Sequence, residues 1–182
     1  MRDRYESPLC ERYASARMQY IFSPDFKFTS WRKMWLYLAE AEKELGLDIT
    51  DEQLDEIRAH LNDVDYDAAA AYEKRLRHDV MAHLRAFADQ CPKAGPILHL
   101  GATSCYVGDN TDVWQLSEAL KSLRGQLLGV MAALSDFALK NADVPTLAYT
   151  HFQAAQPTTV GKRATLWLQD FLMDFDRLTF EL

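Results

Sequence analysis

From Asp112 to about Asn141, apolar side chains recur every three or four residues: Val113, Leu116, Leu120, Leu123, Leu127, Met131, Leu134 and Phe137. No other stretch narrows the possible folds as tightly. A stripe at this spacing is one face of a long helix, and its length makes it a bundle or coiled-coil seam. Val144-Pro145 breaks it. A second seam, with Leu166, Phe171, Leu172, Phe175 and Leu178, runs to Leu182 without a Gly or Pro to close it. Two such seams do not satisfy each other alone; they want more helices, from self-association or from a longer protein.

Ahead of the seam the sequence reads as shorter helices. Residues 30–45 set Trp31, Met34, Trp35, Leu38 and Leu45 at helical spacing, with Gly46 as terminator. An aromatic stripe of this kind reads as core. Thr50-Asp51-Glu52-Gln53 is a capping-box pattern opening a short helix with Leu54, Ile57 and Leu61 on one face. Residues 66–91 form an Ala-rich third region, ended by Cys91-Pro92. Residues 1–28 read as an irregular arm, interrupted at Ser7-Pro8 and Ser23-Pro24.

Charge and composition remove several classes. The 182 residues carry a net charge of −7, which argues against non-specific nucleic-acid binding. No apolar run approaches a membrane span, and the charged N-terminus lacks a signal-peptide core. Cys10, Cys91 and Cys105 are odd in number and lack metal-ligand spacing; they read as reduced thiols of a cytoplasmic protein.

Four segments carry chemistry, and each has an ordinary alternative. In His99–Asp112, Gly101 and Gly108 permit tight turns, and Thr103 and Ser104 offer hydroxyls. Asp109, Asn110 and Thr111 read as caps for the long helix. The segment is an anion cradle or a plain interhelical loop. Arg12 beside Tyr13 pairs a guanidinium fork with a phenol, suited to phosphate or carboxylate, or to a surface ion pair. Arg77-His78-Asp79 cannot share one helix face, since each residue turns about 100°. The triplet marks a break, with Asp79 capping a new helix at Val80, or it is a solvated charged face. His151 lies among Thr150, Gln153, Gln156, Thr158 and Thr159, with Pro157 in the first turn of the next helix. Such a histidine trades protons near neutral pH, or is simply hydrogen-bonded in place.

Taken in order, ERYAS at 11–15, KRLRHDVMAH at 74–83, HLGATSCYVGDNTD at 99–112 and PTLAYTHFQAAQPTTVGKR at 145–163 resemble the adenylosuccinate lyases, in particular the animal-type branch, within the fumarase/aspartase superfamily. The resemblance implies an all-α subunit. An N-terminal helical domain with substrate-binding segments would cover 1–111, and the truncated start of a central helical bundle 112–182. It implies a homotetramer with active sites assembled from several subunits, and no metal or organic cofactor. The implied reaction removes fumarate from adenylosuccinate, giving AMP, and from the succinylated aminoimidazole carboxamide ribotide one stage earlier in purine biosynthesis.

The resemblance also distributes roles. His151 matches the general acid that protonates the leaving amine. Thr103 and Ser104 match residues gripping the succinyl part; Arg12 and Tyr13 match nucleotide-binding residues; Arg77, His78 and Asp79 match a second nucleotide-contacting segment. His99 is a candidate for a supporting role, while His60 and His83 read as structural. The family's general base is a serine on a later glycine- and serine-containing loop, which nothing in these residues matches. The expectation is therefore an N-terminal portion with the acid half of a site, inactive or nearly so by itself. Other readings are a different superfamily lyase, such as argininosuccinate lyase, and a non-catalytic helical scaffold.

Overall fold

The computed structural model describes residues 7–182, which form two units divided after Leu116. In the first, a π-helical turn at Leu9–Tyr13 precedes α1 (Ala16–Ile21), α2 (Pro24–Glu44), α3 (Asp51–Ala59), α4 (Tyr66–Leu76) and α5 (Asp79–Gln90). A 3-10 turn at Gly95–Ile97 then leads to α6 (Ser104–Lys140), within which the division falls. The second unit holds the rest of α6, β1 (Pro145–Thr150), β2 (Gln153–Thr159) and α7 (Val160–Glu181). The all-α expectation holds as a mostly helical chain, which also carries the β1–β2 hairpin.

The arm over 1–28 is not irregular where it is described; residues 1–6 lie outside the described residues. Ser15 and Ser23 accept hydrogen bonds from the Met18 and Phe26 N–H groups, each at 3.2 Å. Both serines are N-caps, and Pro24 takes the first helical position, where its missing N–H costs nothing. A Ser-Pro pair read as a break is a helix start. The capping box at Thr50 and Gln53 is present in full.

The core of the first unit is built on α2. Trp31, Trp35, Leu36 and Ala39 pack with Leu54 and Ile57 of α3, Val80, Leu84 and Phe87 of α5, and Val107 of α6. Each fully buried large side chain stabilises by roughly 1.5–3 kcal/mol relative to exposure. On the opening turns of α6, Val107, Thr111 and Gln115 recur every fourth residue and are buried. Gln115 donates to the Ile21 carbonyl at 2.8 Å, and the Tyr106 hydroxyl donates to that of Met34 at 3.1 Å.

Arg32 is buried among these apolar groups at 3% exposure. Its guanidinium lies 4.4 Å from the Phe87 ring centroid and donates to Gln90 Oε1 at 2.6 Å, to Asp63 Oδ1 at 3.3 Å and to the His60 carbonyl. One side chain thus ties α2 to the end of α3, the following turn and α5. The charge is tolerated because three of its donors meet acceptors, one of them a carboxylate.

His60 and His83, read as structural, both have partners within the first unit. His60 Nδ1 pairs with Asp63 Oδ2 at 2.8 Å. His83 stacks on Phe28 with centroids 3.7 Å apart. Burial, with the charge of Arg32 adding to it, pushes its pKa from 6.5 to about 4; Asp79 opposes and Lys27 adds. The folded value lies below the unfolded one, so the unfolded chain binds the proton first as pH falls. Stability from this group is full above about 6.5 and is lost toward 4. Urea titrations at pH 7 and pH 4.5 should show a loss of about 2 kcal/mol from His83, absent in His83→Phe. An unchanged pH dependence in that variant would refute the assignment.

In the second unit β1 and β2 form an antiparallel hairpin, with Thr150 paired to Gln153 and Thr146 to Thr158. Pro157 lies in β2 opposite Leu147, not in the first turn of a helix; Thr159 caps α7, accepting from the Lys162 N–H at 3.1 Å. Arg163 donates to the Leu147 carbonyl at 3.1 Å and holds the hairpin to α7. Small residues Ala138, Gly161 and Ala164, all buried, bring α6 and α7 together near the hairpin base. Away from it Leu123, Leu127, Phe171 and Leu178 line a groove between the two helices. Of the seam residues in this unit, Leu123, Phe137, Leu166 and Leu172 remain exposed, and off the seams Leu128, Val130, Trp167, Met173 and Phe180 do too, a large apolar surface for one chain.

Candidate active site

The break at the Arg77-His78-Asp79 triplet is present, one residue earlier than read. Arg77 closes α4 in the left-handed region at φ 54. His78, extended, is the N-cap of α5, its Nδ1 accepting from the Met81 N–H at 3.4 Å. Asp79 is the first helical residue, and its Oδ1 accepts from the Val80 N–H at 2.8 Å. The carboxylate bonds its own neighbour, which leaves the capping place to the imidazole. Arg77 and His78 stand outside helical geometry, so the turn per residue no longer separates them.

The central loop is shorter than read. His99 takes φ 64 and Gly101 φ 59, and α6 starts at Ser104. Gly108, Asp109, Asn110 and Thr111 are therefore helical and cap nothing. Asn110 instead donates to the Tyr106 carbonyl at 2.7 Å, and Thr111 is buried. Burying Val107 and Thr111 one turn apart favours the earlier start. Thr103 and Ser104 thus stand at a helix N-terminus, where first-turn N–H groups and two hydroxyls offer donors to a carboxylate.

His99 ties this loop to α2. Its Nδ1 accepts from the Trp35 indole N–H at 3.0 Å. Burial lowers its pKa, and charge on His78 lowers it further. Local spacing carries no sign of the Trp35 contact, which joins residues 64 apart. Arg12 and Tyr13 occupy the exposed π-helical turn, a rare form found often at functional sites. Among the described residues no hydrogen bond or ion pair joins them to Arg77, His78, Thr103 or Ser104.

His151 belongs to the second unit. It and Phe152 are the two residues linking β1 to β2, at φ 51 and φ 60. Both central residues left-handed is the type I′ geometry, which normally takes Asn-Gly. A side chain with a Cβ costs about 1–2 kcal/mol in such a conformation. Phe152 is fully exposed at the tip, and His151 is exposed beside it.

The first unit thus offers a guanidinium, imidazoles, hydroxyls and N–H groups, all suited to an anion. The second presents an imidazole able to give and take a proton. Among the described residues no group of three His, Cys, Asp or Glu is placed to hold a metal, and no helix is long and apolar enough to cross a membrane.

A family model described as lyase matches residues 18–180. The chain is 48% identical over 176 residues to adenylosuccinate lyase of Schistosoma mansoni, covering 97% of this chain and 37% of that protein. It is 49% identical over 175 residues to adenylosuccinate lyase of Saccharomyces cerevisiae, covering 94% and 36%. Among solved structures, a fumarate lyase from Mesorhizobium sp. BNC1 matches with TM-score 0.82 and 25% identity, over 91% of this chain and 40% of that one. The 3-carboxy-cis,cis-muconate lactonizing enzyme from Pseudomonas putida matches with TM-score 0.82 and 27% identity, over 96% and 41%. The chain spans a little over a third of the length of the curated relatives it matches. With the match running over nearly all of its residues, the chain belongs to the lyase family, and relatives at close to half identity are adenylosuccinate lyases.

Proposed function

We propose that the protein to which this chain contributes eliminates fumarate from adenylosuccinate, leaving AMP, and from the succinylated aminoimidazole carboxamide ribotide of purine biosynthesis. The observation that carries this reading is the near-half identity to adenylosuccinate lyases along almost the whole chain. The reaction breaks a C–N bond. A base takes a proton from the carbon beside a carboxylate, that C–H pair becomes the new C=C bond, and the nitrogen leaves with the C–N pair. An acid protonates the departing nitrogen.

His151 is that acid. Its exposed place at a turn that disfavours it supports the assignment, since backbone strain of this kind concentrates at functional sites. Thr103 and Ser104 hold the succinyl carboxylates at the start of α6, where charge building in the transition state meets fixed donors. Arg77, His78 and Asp79 contact the nucleotide, as do Arg12 and Tyr13, with Arg12 on the phosphate. We assign the base to none of this chain's residues. The domain reading, 1–111 for substrate binding and from 112 a central bundle, belongs to the same proposal, as do a homotetramer covering the exposed seams and a cytoplasmic setting.

Fumarate release, followed for the 182-residue chain beside a version extended to the length of its relatives, tests this. Release by the extended protein alone is expected. Turnover by the short chain would place the base within these residues. Silence from both, as folded protein, would favour a scaffold, and release from argininosuccinate would redirect the substrate.

A further inference from the structure

Trp35 is 1% exposed and meets His99 edge to face, with centroids 6.1 Å apart and planes at 87°. Its indole nitrogen is a donor only. The 3.0 Å bond to His99 Nδ1 therefore requires a bare Nδ1, and the neutral ring carries its proton on Nε2. The left-handed backbone at His99, φ 64, is unusual for a residue with a Cβ, so surrounding contacts impose it. Burial and the charge of His78, the titratable neighbour felt by His99, both favour the neutral ring as well. The adjacent Trp31 is 2% exposed, yet its indole N–H has no partner among the described residues. Trp35 thus does something at this position that a buried indole does not do by default.

We propose that Trp35 is a positioning residue of the candidate site: its indole N–H holds His99 as the neutral Nε2–H tautomer, so that the ring meets an anionic substrate group as a hydrogen-bond donor and not as a proton acceptor. The substrate half of this statement rests on the lyase reading above; the tautomer does not. A donor that stays neutral grips a carboxylate or phosphate without competing for the proton the elimination releases. His99 then belongs to binding, and proton transfer belongs elsewhere.

Nitrogen-15 NMR of histidine-labelled chain tests the tautomer directly. In the native chain His99 should show a protonated Nε2 and a bare Nδ1. Trp35→Phe keeps most of the ring and deletes the N–H, and should raise the His99 titration midpoint by about half to one pH unit, the worth of one hydrogen bond to the neutral form. Trp31→Phe, which removes an indole of similar burial with no such bond, should leave that midpoint in place. A protonated Nδ1 in the native chain, or equal midpoints in Trp35→Phe and native protein, would overturn the proposal. Should Trp35→Phe fail to fold, the native tautomer still decides. In the extended enzyme Trp35→Phe should raise KM for adenylosuccinate about fivefold with kcat little changed, and Trp31→Phe should not. Equal KM effects in both variants would overturn the donor role and leave the tautomer to the NMR result. Absence of fumarate release from native enzyme would instead count against the lyase reading.

Discussion

His151→Asn in the extended protein is expected to leave the hairpin at least as stable while slowing fumarate release by roughly 10²–10⁴-fold. The two effects have separate causes. Position 151 lies in the left-handed region at φ 51, where asparagine is among the best-tolerated residues and is favoured in type I′ turns. The backbone therefore gains nothing from histidine. Asparagine cannot protonate a leaving nitrogen, so a proton donor acting in the transition state disappears, and kcat and kcat/KM should fall together. Thermal unfolding and steady-state fumarate release measure the two sides independently. Unchanged turnover would remove His151 from the mechanism. A large loss of stability with the rate loss would return it to a structural role.

That histidine also shows why the hairpin was not legible. A strand announces itself by alternating burial and a hairpin by a turn that demands glycine or asparagine. Here β2 is exposed over most of its length, so no alternation is written into QAAQPTT, and the turn carries His-Phe. Pro157 in a strand removes a ladder donor that an exposed edge can spare. Read along the chain, the same proline looks like a helix start. Local rules fail at this turn because His-Phe stands where type I′ geometry calls for Asn-Gly.

Elsewhere the legible features were those decided locally. The capping box at Thr50 and Gln53, the break at Arg77-His78 and the long α6 need only neighbouring residues. Boundaries moved by a residue or more where burial decided. α6 absorbs Gly108 because Val107 and Thr111 face the core, and nothing lies within 4 Å of where a Gly108 Cβ would stand. Arg32 escaped notice as a core residue, although it follows Phe28 by four and precedes Trp35 by three, on the buried stripe of α2. The signal was present in the spacing, but a lone arginine reads as surface until its partners on α3 and α5 arrive. Around the candidate site, the Trp35–His99 bond was not legible, because it is tertiary.

Gly161→Ala should destabilise the second unit by about 2 kcal/mol or more, against the direction helix propensity predicts. Alanine is ordinarily better than glycine inside a helix by about 1 kcal/mol. At Gly161, however, an added Cβ would stand 2.8 Å from Ala142 Cα and 2.9 Å from its nitrogen, and would overlap the Ala138 carbonyl oxygen. All three are backbone atoms, of the last turn of α6 and of the turn that follows it, and cannot swing aside as a side-chain tip would. The Gly161 N–H also donates to the Asn141 carbonyl at 2.9 Å, beside the Val160 bond to Val144 that closes the hairpin base. Moving α7 away to admit a methyl group would stretch both bonds, each worth about 1 kcal/mol. Overpacking of 1–3 kcal/mol and these losses together exceed the propensity gain. Gly125 and Gly129 supply the contrast: both are helical and exposed in α6, and a Cβ on either meets nothing within 4 Å. Alanine there should stabilise by up to about 1 kcal/mol. Urea unfolding at one protein concentration, followed by the fluorescence of Trp167 in the same unit, compares the three variants. Similar shifts for all three would mean that propensity alone governs them and that α6 and α7 do not meet through Gly161. Opposite signs would locate the tolerance of this unit in a single missing methyl group, at the corner from which the hairpin carries His151.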